Sequence, residues 1–277
     1  MNKVSRFADQ HPLSISVLAL LSWFSLAGLM LMGEVLLLKL PVDNAFVQVA
    51  STLIATVLLL GFITRLGWLR AIGITRLGTF PTWLITILLG IYIVRVGYYA
   101  FFKEIGFGPI NLNLTADGRA ILLHDLLVGF VEESVFRGIL LYALVRIWGR
   151  TKGGQVAAVV VQAGLFGVLH AMQILAGTTP AAASANVLGT FVFGVWTGAL
   201  VLLAGSLWPA IFLHMMSNAS ILIKGLTSTW VDPVWTGYLM EALLEMPLAL
   251  LAVWIMLKVR SPRRLSLRHA PEINPST

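Results

Sequence analysis

Cysteine is absent from this chain, and charge is scarce. With no thiol there is no thiolate nucleophile, no disulfide and no cysteine-ligated metal. Asp, Glu, Lys and Arg make up 11% of the 277 residues, against about 25% in soluble domains. No His-Glu-x-x-His occurs, which removes the zinc-binding helix built on that pattern. No Gly-x-Ser-x-Gly occurs, which removes the serine nucleophile elbow. What fills the space is apolar: 58% of residues are hydrophobic and the mean hydropathy is +0.89. That composition excludes a soluble globular domain and predicts a polytopic membrane protein.

A span needs about 20 apolar residues, so the length holds about eight spans and no separate soluble domain. The apolar runs fall at about 13–35, 45–64, 82–102, 120–148, 155–174, 185–203, 208–223 and 237–257. The first of them is too long, and too poorly closed by small residues, to read as a cleaved signal peptide. No internal repeat announces an inverted-repeat transporter. The net charge of +7 does not point to nucleic acid, because the basic residues sit at the ends of apolar runs. With the N-terminus in the cytoplasm, thirteen of the nineteen Lys and Arg fall on inner segments. Lys39, Lys103, Arg119 and Lys224 fall outside, and Arg95 and Arg137 lie within spans. The positive-inside rule therefore places both termini in the cytoplasm. The expected fold is an all-α polytopic membrane protein of about eight transmembrane helices. It forms one membrane-embedded domain over 1–277, with a basic, disordered tail at 259–277.

Three charges interrupt the fourth run, in Gly129-Phe-Val-Glu-Glu-Ser-Val-Phe-Arg-Gly138. A charge at the centre of a membrane helix costs at least about 2.5–3.5 kcal/mol, so these must be paired, wet or useful. Glu133 and Arg137 stand at i,i+4 with the acid first, the favourable order for a helical ion pair. Glu132 points about 100° away from Glu133 and has no local cation, which suits a general base or acid. The plainer reading is that both acids only bind helices together. Phe166 and His170 share a face of the fifth run, and His214 and Asn218 share a face of the seventh. Glu132 lies sixteen positions before Trp148, and His170 fifteen after Gln155. At about 1.5 Å per residue the two reach similar depths if the helices are antiparallel neighbours, so they could meet. One carboxylate, two imidazoles and a carboxamide around a cavity are enough to activate water and stabilise an oxyanion.

Taken together and in order, Glu-Glu-x-x-x-Arg (Glu132, Glu133, Arg137), Phe-x-x-x-His (Phe166, His170) and His-x-x-x-Asn (His214, Asn218) resemble the CPBP intramembrane proteases. This is the family of the type II CaaX prenyl endopeptidase and of bacterial Abi proteins. The resemblance covers about 120–222, including the Gly-Ser-Leu-Trp-Pro lead-in to the third motif. It implies that Glu132 and His170 activate water, that His214 and Asn218 form the oxyanion site, and that Glu133, Arg137 and Phe166 support them. It further implies an endopeptidase acting on a membrane-associated peptide or lipidated protein in the plane of a prokaryotic inner membrane. Some relatives are linked to bacteriocin processing or self-immunity. No cofactor is expected. If a divalent metal such as zinc takes part, Glu132, His170 and His214 are its ligands.

Two rival functions remain open on the sequence. One is a transporter or proton pathway using the same intramembrane charges with Arg95 and Asp125. The other is a non-catalytic immunity or scaffold member of the family. His124 and Asp125 either line the cavity or face headgroups. Arg95 is expected to snorkel, or to pair with Glu34 or Glu241. Glu241 and Glu245 share a face beside Pro247 and suit a lateral gate or a packing role. Gly194-x-x-x-Gly198 suits close helix packing within the monomer.

Overall fold

The computed structural model describes residues 3–22, 25, 44–102, 116–227 and 235–258, and every regular element among them is helical. The expected outer loops around Lys39, Pro41 and Asp43 and at 103–115, and the expected disordered tail 259–277, lie outside the described residues. So do Glu34 and the side chain of Lys224.

In chain order the helices are α1 (Lys3–Gln10), α2 (Pro12–Ser22), α3 (Ala45–Leu66), α4 (Phe80–Phe102) and α5 (Ala116–Glu133). A π-helical turn, Ser134–Leu140, joins α5 to α6 (Leu141–Trp148). There follow α7 (Lys152–His170) with a 3₁₀ extension Ala171–Ala176, α8 (Pro180–Ala204), α9 (Trp208–Thr227) and α10 (Trp235–Lys258). Four stretches are long and apolar enough to cross a membrane: Ala45–Leu66, Lys152–Leu175, Pro180–Ala204 and Trp235–Lys258. Pro12–Ser22 and Phe80–Val96 are shorter apolar helices. The expected fourth run, too long at about 120–148 to cross as one straight helix, is interrupted by the π turn after its charged pair. Large apolar side chains face outward on several helices, among them Val57, Leu84, Leu88, Leu250 and Trp254. An exterior of that kind is stable against lipid and not against water, which is the character of an integral membrane protein.

Local chemistry starts and stops the helices. Asn44 caps α3 by accepting from the amides of Phe46 and Val47, Thr151 caps α7, and Thr179 caps α8 just before Pro180. These are favoured N-cap residues because a short side-chain oxygen satisfies an orphan N–H of the first turn. Gly67 and Gly205 end α3 and α8 in the left-handed conformation.

The core is built by α8 packing on α7 and α10, and by α5 packing on α3 and α9. Gly194 and Gly198 make the first contact possible. A Cβ on Gly194 would stand 2.9 Å from Ala163 Cβ, and one on Gly198 would stand 2.9 Å from Gln162 Oε1. The expected close packing thus occurs within the monomer, between α7 and α8.

One feature sets the level of α9. The segment 67–79 buries Trp68 and Ile72 and clamps the break between α8 and α9. Trp208 Nε1 donates to Ile74 O at 2.7 Å, Ser206 Oγ to Arg76 O at 2.5 Å, and Leu207 N to Gly73 O at 3.3 Å. Gly73 has φ +86°, and a Cβ there would lie 2.9 Å from Ser206 Cα. Only glycine accepts both that backbone and that approach. Below this clamp, α1 is held by Ser5 Oγ donating to Leu66 O and by Asp9, which pairs with Arg146 at 2.6 Å and accepts from Trp68 Nε1.

Candidate functional site

Glu132 and Glu133 close α5, and the chain then enters the π turn that carries Arg137. A π turn, hydrogen-bonded i to i+5, is rare and usually marks a functional position. The neighbouring acids go to different surroundings: the Glu133 side chain is 0% exposed and the Glu132 side chain 25%.

Glu133 is the hub of the buried charges. Its Oε1 lies 3.0 Å from Arg137 Nη1 and 2.8 Å from His214 Nδ1. The arginine contact is close but off the N–H direction, so it is an ion pair without an aligned hydrogen bond. Glu133 Oε2 and Arg137 Nε have no hydrogen-bond partner among the described residues. Arg137 is otherwise held by Thr197 Oγ1, which accepts from Nη2 at 3.2 Å, and by the ring of Phe166, 4.1 Å below the guanidinium carbon. Phe166 also stands edge-on to His170 and His214, with ring centroids 4.7 Å and 6.0 Å away. It is the apolar wall that fixes the cation and both imidazoles relative to one another.

The tautomers follow from the acceptors. A carboxylate oxygen only accepts, so His214 Nδ1 carries the proton it gives to Glu133. Its Nε2 then faces Glu132 Oε2 at 3.6 Å, beyond direct hydrogen-bond reach. A backbone carbonyl also only accepts, so His170 Nδ1 donates to Phe166 O at 2.9 Å. In the neutral ring this leaves the lone pair on Nε2. Asn218 Nδ2 donates to Asp125 O at 3.0 Å, which engages one of its two N–H groups. Gly129 lets α5 and α9 approach here, since a Cβ on it would already touch Met215 N, Asn218 Nδ2 and His214 Cδ2.

Phe166, His170, His214 and Asn218 line one cavity of about 190 Å³. Glu132 reaches this group through His214, whose Nε2 stands 3.6 Å from its Oε2. The Glu132–His214 contact is one that helix depths alone do not encode. The depth argument used α5 and α7 alone, while α9 comes between as the nearer neighbour of α5.

Four further residues belong to the same cavity and had been read differently or not at all. Glu241 and Glu245 of α10 are among its lining residues, and Gln173 and Asn186 are joined across it at 2.8 Å. The i,i+4 face of Glu241 and Glu245 was visible in the sequence; its direction was not. The other polar residues at depth lie elsewhere. His124 Nδ1 bonds Thr52 Oγ1 and Gln48 O of α3, and Arg95 is exposed on α4. Among the described residues no three His, Asp or Glu side chains are grouped to hold a metal ion.

Residues 119–220 match the model of the family described as type II CAAX prenyl endopeptidase Rce1-like. No curated protein and no solved structure matches the chain.

Proposed function

From a chain whose residues 119–220 are of the CPBP family, we propose an intramembrane endopeptidase of the CAAX-processing type, acting on a membrane-associated peptide or lipidated protein. The observation that carries the reading is His214, held by the buried Glu133 on one side and facing the more exposed Glu132 on the other, at the wall of the cavity that His170 and Asn218 share.

In this scheme Glu132 and His170 Nε2 take a proton from a water molecule. The hydroxide adds to the scissile carbonyl, and the oxyanion accepts from the second N–H of Asn218 and from the Nε2–H that His214 offers as the imidazolium, its Nδ1–H staying on Glu133. The carbon–nitrogen bond then breaks, and the leaving amine takes the proton that the base removed. Glu133 holds His214 by its Nδ1–H, and Arg137 with Phe166 holds Glu133. No step passes through a metal. The orientation that goes with the scheme has both termini in the cytoplasm of a prokaryotic inner membrane, with the chain as one membrane-embedded domain.

The test is release of the C-terminal tripeptide from a farnesylated CAAX peptide by purified protein in proteoliposomes, read by mass spectrometry. The wild type should release it, while Glu132→Gln and His170→Ala should not. Full release by both variants overturns the assignment. Solute flux across the vesicles without any cleavage would replace it by a transport function.

A further inference from the structure

Glu241 and Glu245 stand one turn apart on α10, and both line the cavity that holds His170, His214 and Asn218. Glu245 is 1% exposed. Its Oε2 accepts from the indole N–H of Trp196 at 3.0 Å, and its Oε1 has no hydrogen-bond partner among the described residues. The cavity lining contains no lysine or arginine. Among the described residues the ion pairs join Arg137, Arg146 and His214 to other acids, so neither Glu241 nor Glu245 has one. Arg137, the one buried lysine or arginine among the described residues, is taken by Glu133.

Two carboxylates on one helix face, one of them buried and neither ion-paired, repel each other, and the buried one loses solvation. Sharing a cation relieves both effects. Packing alone would be served as well by glutamine at either position. The indole bond fixes Glu245 and leaves its second oxygen for a ligand, and Glu241 supplies a second acceptor one turn away. A planar guanidinium or an ammonium, which offers several N–H donors, is the complementary group.

We propose that Glu241 and Glu245 form a cation subsite that takes a basic side chain of the peptide substrate, across the cavity from the water-activating groups. The carrier of the cation rests on the peptidase reading above; the subsite itself does not. The probe is n-butylguanidinium, compared with its neutral isostere n-butylurea, on the full chain in detergent micelles. Binding is read as the concentration-dependent rise in unfolding temperature. Butylguanidinium should give a saturable rise and butylurea none. Glu241→Gln and Glu245→Gln should each weaken the apparent affinity about tenfold, as loss of one charge-assisted contact does. The carboxamide introduced by Glu245→Gln keeps an oxygen for the Trp196 N–H, so that variant retains the wild-type contact. Glu132→Gln should keep the response. Equal responses to both probes, no response at all, or an undiminished response in both α10 variants overturns the subsite.

The carrier is read separately, as the ratio of kcat/KM for farnesylated peptides with lysine or norleucine before the modified cysteine. A preference for lysine that falls in the α10 variants supports the assignment. An unchanged ratio removes the side chain as carrier. Absence of cleavage of either peptide removes the peptidase reading and leaves the guanidinium result to stand or fall alone.

Discussion

Three residues divide the labour at the centre of the molecule. Glu133 and Arg137 are buried together, so each is the other's compensation. Removing one partner of such a pair costs about 3–5 kcal/mol, because the remaining charge stays in the apolar interior. Arg137→Met should therefore unfold well below the wild type in a detergent thermal melt. Adding Glu133→Gln should recover part of the loss, and the double-mutant cycle measures how much. Glu132, more exposed and in no ion pair with lysine or arginine among the described residues, should behave in the opposite way. Glu132→Gln should leave the melting temperature near the wild type while lowering kcat by about 10²–10⁴-fold, the usual contribution of a general base. A large stability loss in Glu132→Gln would reassign it to the structural set. Since no three candidate ligands are grouped among the described residues, EDTA should leave peptide release intact. Loss of activity on chelation, restored by zinc, would replace the two-base scheme.

At the level of elements, the three motifs and the Glu133–Arg137 pair could be read from spacing because each lies within one helix, where i,i+4 fixes neighbours. The link from Glu133 to His214 joins positions 81 apart, and no local period encodes it. It depends on how far α9 is pushed into the bundle, and that depth is set by the 67–79 clamp on Ser206, Leu207 and Trp208. The π turn was illegible for a related reason. Its residues form an ordinary apolar helix pattern, and nothing local in that pattern marks a wider turn. The clamp yields a prediction remote from the chemistry. Gly73→Ala forces a Cβ against Ser206 in a left-handed backbone, a strain of about 1–3 kcal/mol. It should lower both stability and kcat, because His214 moves with the start of α9. Unchanged kcat in a destabilised Gly73→Ala protein would separate the clamp from the site.

On the scale of the whole molecule, composition was enough for the class. The absence of strands among the described residues and the apolar exterior agree with it. The number of spans was less legible. Hydropathy weighs side chains one at a time and does not register that a charged run such as α5 is carried by neighbours on other helices. The sidedness proposed here is open to a direct measurement, since the chain has no cysteine of its own. Single cysteines in place of Arg150 and Thr178 flank α7. In sealed cells or oriented vesicles, an impermeant maleimide should label Thr178→Cys from the outside and Arg150→Cys only after lysis. The reverse pattern would turn the protein over.

The shared oxygen of Glu133 also bears on how the protein is made. Arg137 arrives with Glu133 in the same stretch of nascent chain, but His214 is synthesised much later, at the far side of two more helices. Until α9 emerges, the acidic end of α5 has only half of its final company. A segment in that condition is poorly suited to release into lipid, where its unmatched polar atoms would meet no donors. Insertion of this chain should therefore be delayed at α5 and completed as a group, with α5, α7, α8 and α9 leaving the insertion machinery together. Chains truncated before residue 214 should remain crosslinkable to that machinery, and chains that extend past it should not.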